Sequence, residues 1–138
     1  MTLSSANLVT AGVVLLAVVG IAYGGTFLLR VFGGKVPAND LQKSFFRAGH
    51  AHAGVLVILG LVVLLLTSNP GVPAWANRWG AGVLWAAILM PAGFFLSVLG
   101  RDPQRPSRLI VLLWLGAAAL TVGLVSAGAG LLFAGTAA

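Results

Sequence analysis

The chain is 138 residues long, with 59% apolar and only 7% charged residues; a soluble domain carries about 25% charge, so the expected solvent is lipid. That length leaves room for one integral membrane domain, residues 1–138, and no second soluble one. The net charge of +6 sits in short loops and not on a basic face with stacking aromatics, which sets nucleic acid aside as a partner, and the lack of cysteine excludes disulfides, thiolate metal sites, Fe–S clusters and cysteine nucleophiles.

Met1–Thr10 is short, polar and uncharged, and it lacks the positive start of a signal peptide. The first span is expected over residues 8–29, long enough for a hydrocarbon core of about 30 Å. Gly20 and Gly24 form a GxxxG pair within it, with Gly12 and Ala17 further along. Such residues let a second helix approach closely; the plainer reading is that glycine is simply common in membrane helices. Gly33-Gly34 should end this helix and Pro37 should prevent its resumption. Asn39 or Asp40 can cap a new helix. Leu41, Phe45 and Phe46 then fall together while Gln42 and Lys43 face elsewhere. Asp40–Phe46 reads either as an interfacial turn or as the first turn of the second span.

The second span is expected over residues 48–66, small at its start and bulky at its end, so the small end should pack on protein. Thr67-Ser68-Asn69-Pro70-Gly71 breaks the chain. Trp75 and Trp79 after it read as an interfacial belt. The third span is expected over residues 80–99, kinked at Pro91, with Ala86, Gly93, Ser97 and Gly100 on a small face. In the loop after it, Asp102 beside Arg101 and Arg105 suggests a local ion pair. The fourth span, residues 109–133, is about 37 Å long at ~1.5 Å per residue, so it must tilt or protrude. Ala119, Gly123, Ala127 and Gly130 supply a close-packing stripe along it, and the tail 134–138 is uncharged.

The predicted fold is therefore all-α, a four-helix transmembrane bundle. The first loop holds Arg30, Lys35, Lys43 and Arg47, the third Arg101, Arg105 and Arg108, the second only Arg78. The positive-inside rule then places the first and third loops in the cytoplasm of a multi-pass cell-membrane protein, with both termini outside.

Both histidines, His50 and His52, fall about one turn inside the second span. Ionisable groups there are functional candidates. Residues two apart on a helix point roughly 200° apart, so the pair cannot share one metal ion. Each ring must face a different neighbour. Arg47 is the nearest cation, suited to snorkelling toward headgroups or to holding an anionic substrate or haem propionate beside His50. Asp40 and Asp102 are the only carboxylates and both lie in loops, which disfavours a carboxylate-based proton pump or cation transporter.

The run Phe45-Phe46-Arg47-Ala48-Gly49-His50-Ala51-His52-Ala53-Gly54-Val55-Leu56, with Leu89-Met90-Pro91-Ala92-Gly93-Phe94-Phe95-Leu96, resembles a group of small four-span actinobacterial integral membrane proteins. That likeness covers most of the chain and implies the architecture without an activity. Locally, His50-Ala51-His52 entering an apolar helix is similar to the haem-ligand helix of nitric oxide reductases and haem–copper oxidases, where the two histidines serve different haems. With no third histidine in the chain, a complete oxidase or reductase site is excluded. A single-histidine haem, or one shared with a partner chain, stays open.

Three readings of the pair follow. The rings bridge helices, bonding Tyr23, Thr26, Ser97 or a carbonyl. They hold haem or a metal. Or they handle a proton or substrate on the cytoplasmic side, imidazole being the side chain that ordinarily titrates near neutral pH. The expected partners are the bilayer and other membrane helices, in a homo- or hetero-oligomer. For the whole chain the leading expectation is a non-enzymatic accessory or assembly subunit or a homo-oligomer. The alternatives are a haem- or metal-binding membrane protein, or an enzyme or transporter for a small hydrophobic or anionic molecule.

Overall fold

A computed structural model of the chain describes residues 3–137; Met1 and Thr2, the head of the polar leader, and Ala138, the last residue of the tail, lie outside the described residues. Helix α1 runs Ser5–Phe32, α2 Asp40–Thr67, α3 Ala74–Gly80, α4 Gly82–Ser97 and α5 Val111–Thr136, the last entered through a 3₁₀ turn at Arg108–Ile110. No strand occurs among the described residues. Four stretches, Ser5–Phe32, Asp40–Thr67, Ala74–Ser97 and Arg108–Thr136, are long and apolar enough to cross a membrane. They make the expected all-α four-helix bundle.

Every span is longer than its apolar run suggested; at the start of the first two, side-chain caps and not hydropathy set the helix end. Ser4 caps α1 by accepting from the Asn7 amide at 3.2 Å. Asn39 caps α2: its Oδ1 accepts from the Gln42 amide at 2.9 Å, and Gln42 Oε1 accepts from the Asn39 amide at 3.1 Å. This reciprocal box satisfies two otherwise orphaned donors. Asp40–Phe46 is accordingly the first part of α2, continuous with the second span. The segment after Pro73, expected as loop, forms α3. Pro73 already has a φ of −57° at the helix start, where its missing N–H costs nothing. Pro91 lies buried within α4, which runs 82–97 around it.

The seam between α4 and α5 is the most extensive in the molecule, and there glycine brings backbone onto backbone. A Cβ on Gly93 would lie 2.5 Å from the Leu113 amide nitrogen, one on Gly123 2.8 Å from that of Val83, and one on Gly82 2.6 Å from the Ala119 carbonyl oxygen. The stripe expected on α5 thus meets Gly82 and Val83 rather than the small residues expected on α4, of which Gly93 lies against Leu113. Gly130 continues the α5 stripe onto Ala76 of α3. Gly100 leaves the stripe and sits in the loop at φ +127°. The main core joins α2 to α4 through Leu56, Val57, Ala86, Ala87 and Met90, with Val14 and Ile21 of α1 at its margin.

Helix α1 is different. Its substantial packing is on α2 alone. Only 6% of its most apolar window is buried, against 39% for Ala74–Ser97. The predicted GxxxG pair is split: Gly24 meets α2, whereas Gly12 and Gly20 have nothing within 4 Å of an added Cβ.

Polar contacts tie the two ends. At one end Asn7 Nδ2 donates to Ser68 Oγ at 2.8 Å and Asn77 Nδ2 to Thr67 Oγ1 at 3.0 Å. At the other the first and third loops clasp. Asn39 Nδ2 donates to Asp102 Oδ1 and to the Pro103 carbonyl, both at 2.8 Å. Gln42, only 7% exposed, donates from Nε2 to the Val98 and Gly100 carbonyls at 3.1 Å each. The Ser107 amide closes the third loop on the Ser97 carbonyl at 2.7 Å. The ion pair expected at Asp102 is absent among the described residues: the carboxylate takes the Asn39 amide, while Arg101 and Arg105 stay exposed. Lys43–Asp40, at 3.8 Å on the surface, is the single ion pair among the described residues.

Candidate functional site

The capping box starts α2 ten residues before His50, so both histidines ride on a helix already anchored by the loop clasp. The two-residue spacing sends them to opposite neighbours, as the geometry requires. His50 lies over Gly24 and Gly25 of α1. A Cβ on Gly25 would be 3.5 Å from its Nε2, and one on Gly24 3.7 Å from its Nδ1. Two adjacent glycines give the ring a flat seat, where added methyls would lie in ordinary van der Waals contact and only larger side chains would displace it. Neither ring nitrogen has a hydrogen-bond partner among the described residues, and no buried unpartnered side-chain nitrogen occurs there, so both nitrogens keep some exposure.

His52 turns toward α4. Its ring centroid is 5.0 Å from that of Phe94, tilted by 39°. Its Nδ1 is 2.7 Å from the Ala48 carbonyl oxygen, one helical turn back. A carbonyl only accepts, so Nδ1 carries the hydrogen and donates it. In the neutral ring the lone pair is then on Nε2, pointing away from the helix's own backbone.

Around the pair is an aromatic layer. Phe46 meets Phe27 edge-on at 5.4 Å and stacks on Phe95 at 5.5 Å, and Phe45 meets Phe94 edge-on at 5.6 Å. Gly49 permits this approach: a Cβ there would lie 2.8 Å from the Phe95 ring. The layer separates the histidines from the polar clasp at the helix start.

The structure does not bring the predicted site residues to one point. His50 and His52 serve separate contacts, and Arg47 is exposed with no hydrogen bond to either ring. Tyr23 is 77% exposed, Thr26 Oγ1 donates to the Tyr23 carbonyl and Ser97 Oγ to that of Phe94, so none of the three bonds a histidine. Those hydroxyls satisfy themselves on their own helices, the cheapest solution in a chain with few other acceptors. Of the expected partners only the backbone carbonyl is used. No group of three His, Asp or Glu side chains able to hold a metal ion occurs among the described residues. Neither histidine lines any of three cavities of about 690, 720 and 400 Å³.

Sequence reasoning missed two contributors. Gln42 was expected only to face away from the phenylalanines, yet it is the buried link between the loops. Phe94 and Phe95 belong to the motif that carries the resemblance, and their pairing with Phe45 and Phe46 comes from tertiary packing that the sequence does not display. The signal for the first was available: a Gln three residues after an Asn that precedes an apolar run is a capping box. No protein-family model, no curated protein and no solved structure matches the chain.

Proposed function

We propose that the chain is a four-span protein of the cell membrane that acts without catalysis, as an accessory or assembly subunit or as a homo-oligomer, docking through the outer face of α1. In this reading the first and third loops, with all cations but Arg78, lie in the cytoplasm. Both termini and the Trp75/Trp79 segment lie outside, and Pro91 bends the third span. The observation that carries the reading is the half-finished packing of α1. Its 28 residues are held mainly by α2, and Gly12 and Gly20 offer a bare backbone outward. Close backbone approach is what stabilises helix pairs in lipid, where no hydrophobic force acts between them.

The cysteine-free sequence makes the test direct. A thiol-directed photocrosslinker on Gly20→Cys should capture a partner helix, or a second copy, in native membranes. Adding Gly12→Leu to the Gly20→Cys chain should abolish both the adduct and any stoichiometric companion in mild detergent while leaving the fold unchanged. An uncrosslinked monomer with no companion overturns the reading.

One observation favours a second reading. The Nδ1 bond to Ala48 fixes the His52 tautomer that presents Nε2 as a ligand, as metal-bound imidazoles are usually held. The residues present fit a single axial ligand, so a haem would be shared with a partner chain, with the exposed Arg47 available to a propionate. A Soret band in gently purified protein, lost in His52→Ala, is the expected result; a colourless preparation unaltered by haemin sinks it.

A further inference from the structure

The cavity of about 690 Å³ lies far from the histidines, where the end of α3 and the start of α4 meet the middle of α5. We propose that it binds one anionic phospholipid, with the phosphodiester at Arg78 and an acyl chain along Trp79, Trp85 and Leu89. The inference rests on the reading of the chain as membrane-spanning.

The trough has a structural cause. Gly82 lies so close to α5 that a Cβ would be 2.6 Å from the Ala119 carbonyl oxygen. The facing positions, Ala118 and Ala119, are small. Trp79 and Trp85 stand out on the rim, 58% and 61% exposed, so a channel opens between two indole walls over a floor of small residues. Its volume falls within the roughly 300–1,000 Å³ of small-molecule sites.

Charge selects the occupant. Arg78 lines the trough, is exposed, and forms no ion pair among the described residues. It is the only charged side chain between Arg47 and Arg101. The two carboxylates, Asp40 and Asp102, belong to the opposite end of the bundle, where the loops clasp. Neither side-chain carboxylate can therefore neutralise Arg78 in place. That leaves it open to an anion from outside, and guanidinium suits a phosphodiester oxygen pair. Length selects the class. Arg78 to Leu89 is eleven residues, about 16 Å of helix at ~1.5 Å per residue. That is about half of a ~30 Å hydrocarbon core, the depth of one leaflet. The indole N–H groups suit the headgroup level while the rings line the acyl chain.

The test is tryptophan quenching in a Trp75→Phe/Trp114→Phe background, where Trp79 and Trp85 are the only indoles of the original four. The protein is reconstituted in phosphatidylcholine vesicles containing a minor fraction of bromine-labelled lipid, either phosphatidylglycerol or phosphatidylcholine. The anionic lipid should quench with about fivefold higher apparent affinity, the effect of one basic residue near a membrane surface. Arg78→Gln should bring the ratio to unity, and so should Ala118→Phe, which fills the trough and keeps the charge. Equal quenching by the two lipids in the parent protein overturns the proposal and leaves ordinary boundary lipid. A preference that survives Arg78→Gln overturns the headgroup assignment, and one that survives Ala118→Phe overturns the trough. A chain that does not insert is quenched by neither lipid, so failure of the membrane reading is distinct from failure of the site.

Discussion

The α4–α5 seam and the α1–α2 contact use the same material, glycine on an apolar helix, to opposite ends. In the seam the glycines are consumed: backbone meets backbone at Gly82, Gly93 and Gly123. On α1 they are half used, with Gly24 and Gly25 seating an imidazole while Gly12 and Gly20 face outward. A small-residue pattern thus says where a close approach is permitted. It does not say whether the partner is inside the same chain.

Substitutions can break this contrast in order of size. Gly93→Leu, forced against the Leu113 backbone, should cost about 3 kcal/mol or more, read as loss of the folded fraction in detergent unfolding. Gly12→Leu, with open space around it, should stay within about 0.5 kcal/mol on the same assay. Comparable losses would erase the distinction between the two regions. Gln42→Ala leaves the Val98 and Gly100 carbonyls without their donor and should cost about 1–3 kcal/mol. Gln42→Glu, which keeps the shape but loses the Nε2 donor, should do no better. Gly25→Leu fills the seat of His50 and should separate α1 from α2, seen as a lost Asn7→Cys/Ser68→Cys cross-link while α4 and α5 remain paired. Among the substitutions that break a contact, the smallest effect belongs to Asn7→Ala, which removes a bond worth about 0.6 kcal/mol in a membrane setting. Its readout is faster amide exchange confined to α1.

The sequence made the four spans legible because twenty or so apolar residues in a row have few other solutions. The α5 stripe was legible for the same kind of reason: Ala119, Gly123, Ala127 and Gly130 recur at helical spacing. The ends were harder. Helix α3 depends on Ala76 finding Gly130, a contact some fifty residues away that no local window contains. Asp102 has two arginines beside it in sequence, so proximity suggested an ion pair, yet Asn39 reaches it across the bundle end. For the histidines, the divergence of the rings followed from two-residue spacing. Their neighbours, Gly24–Gly25 and Phe94, followed from tertiary packing and were not legible.

The 2.7 Å bond from the Ser107 amide to the Ser97 carbonyl has a bearing on biogenesis. It closes a ten-residue loop between the two helices that share the most extensive seam. Contacts of such short sequence separation form fast, so the last two spans can mature as one hairpin soon after the loop is made. Helix α1 leaves the ribosome first and is the span least held by its own chain. During synthesis its glycine face stays bare, and under the proposed docking role that interval is when a companion helix would have the freest access to it.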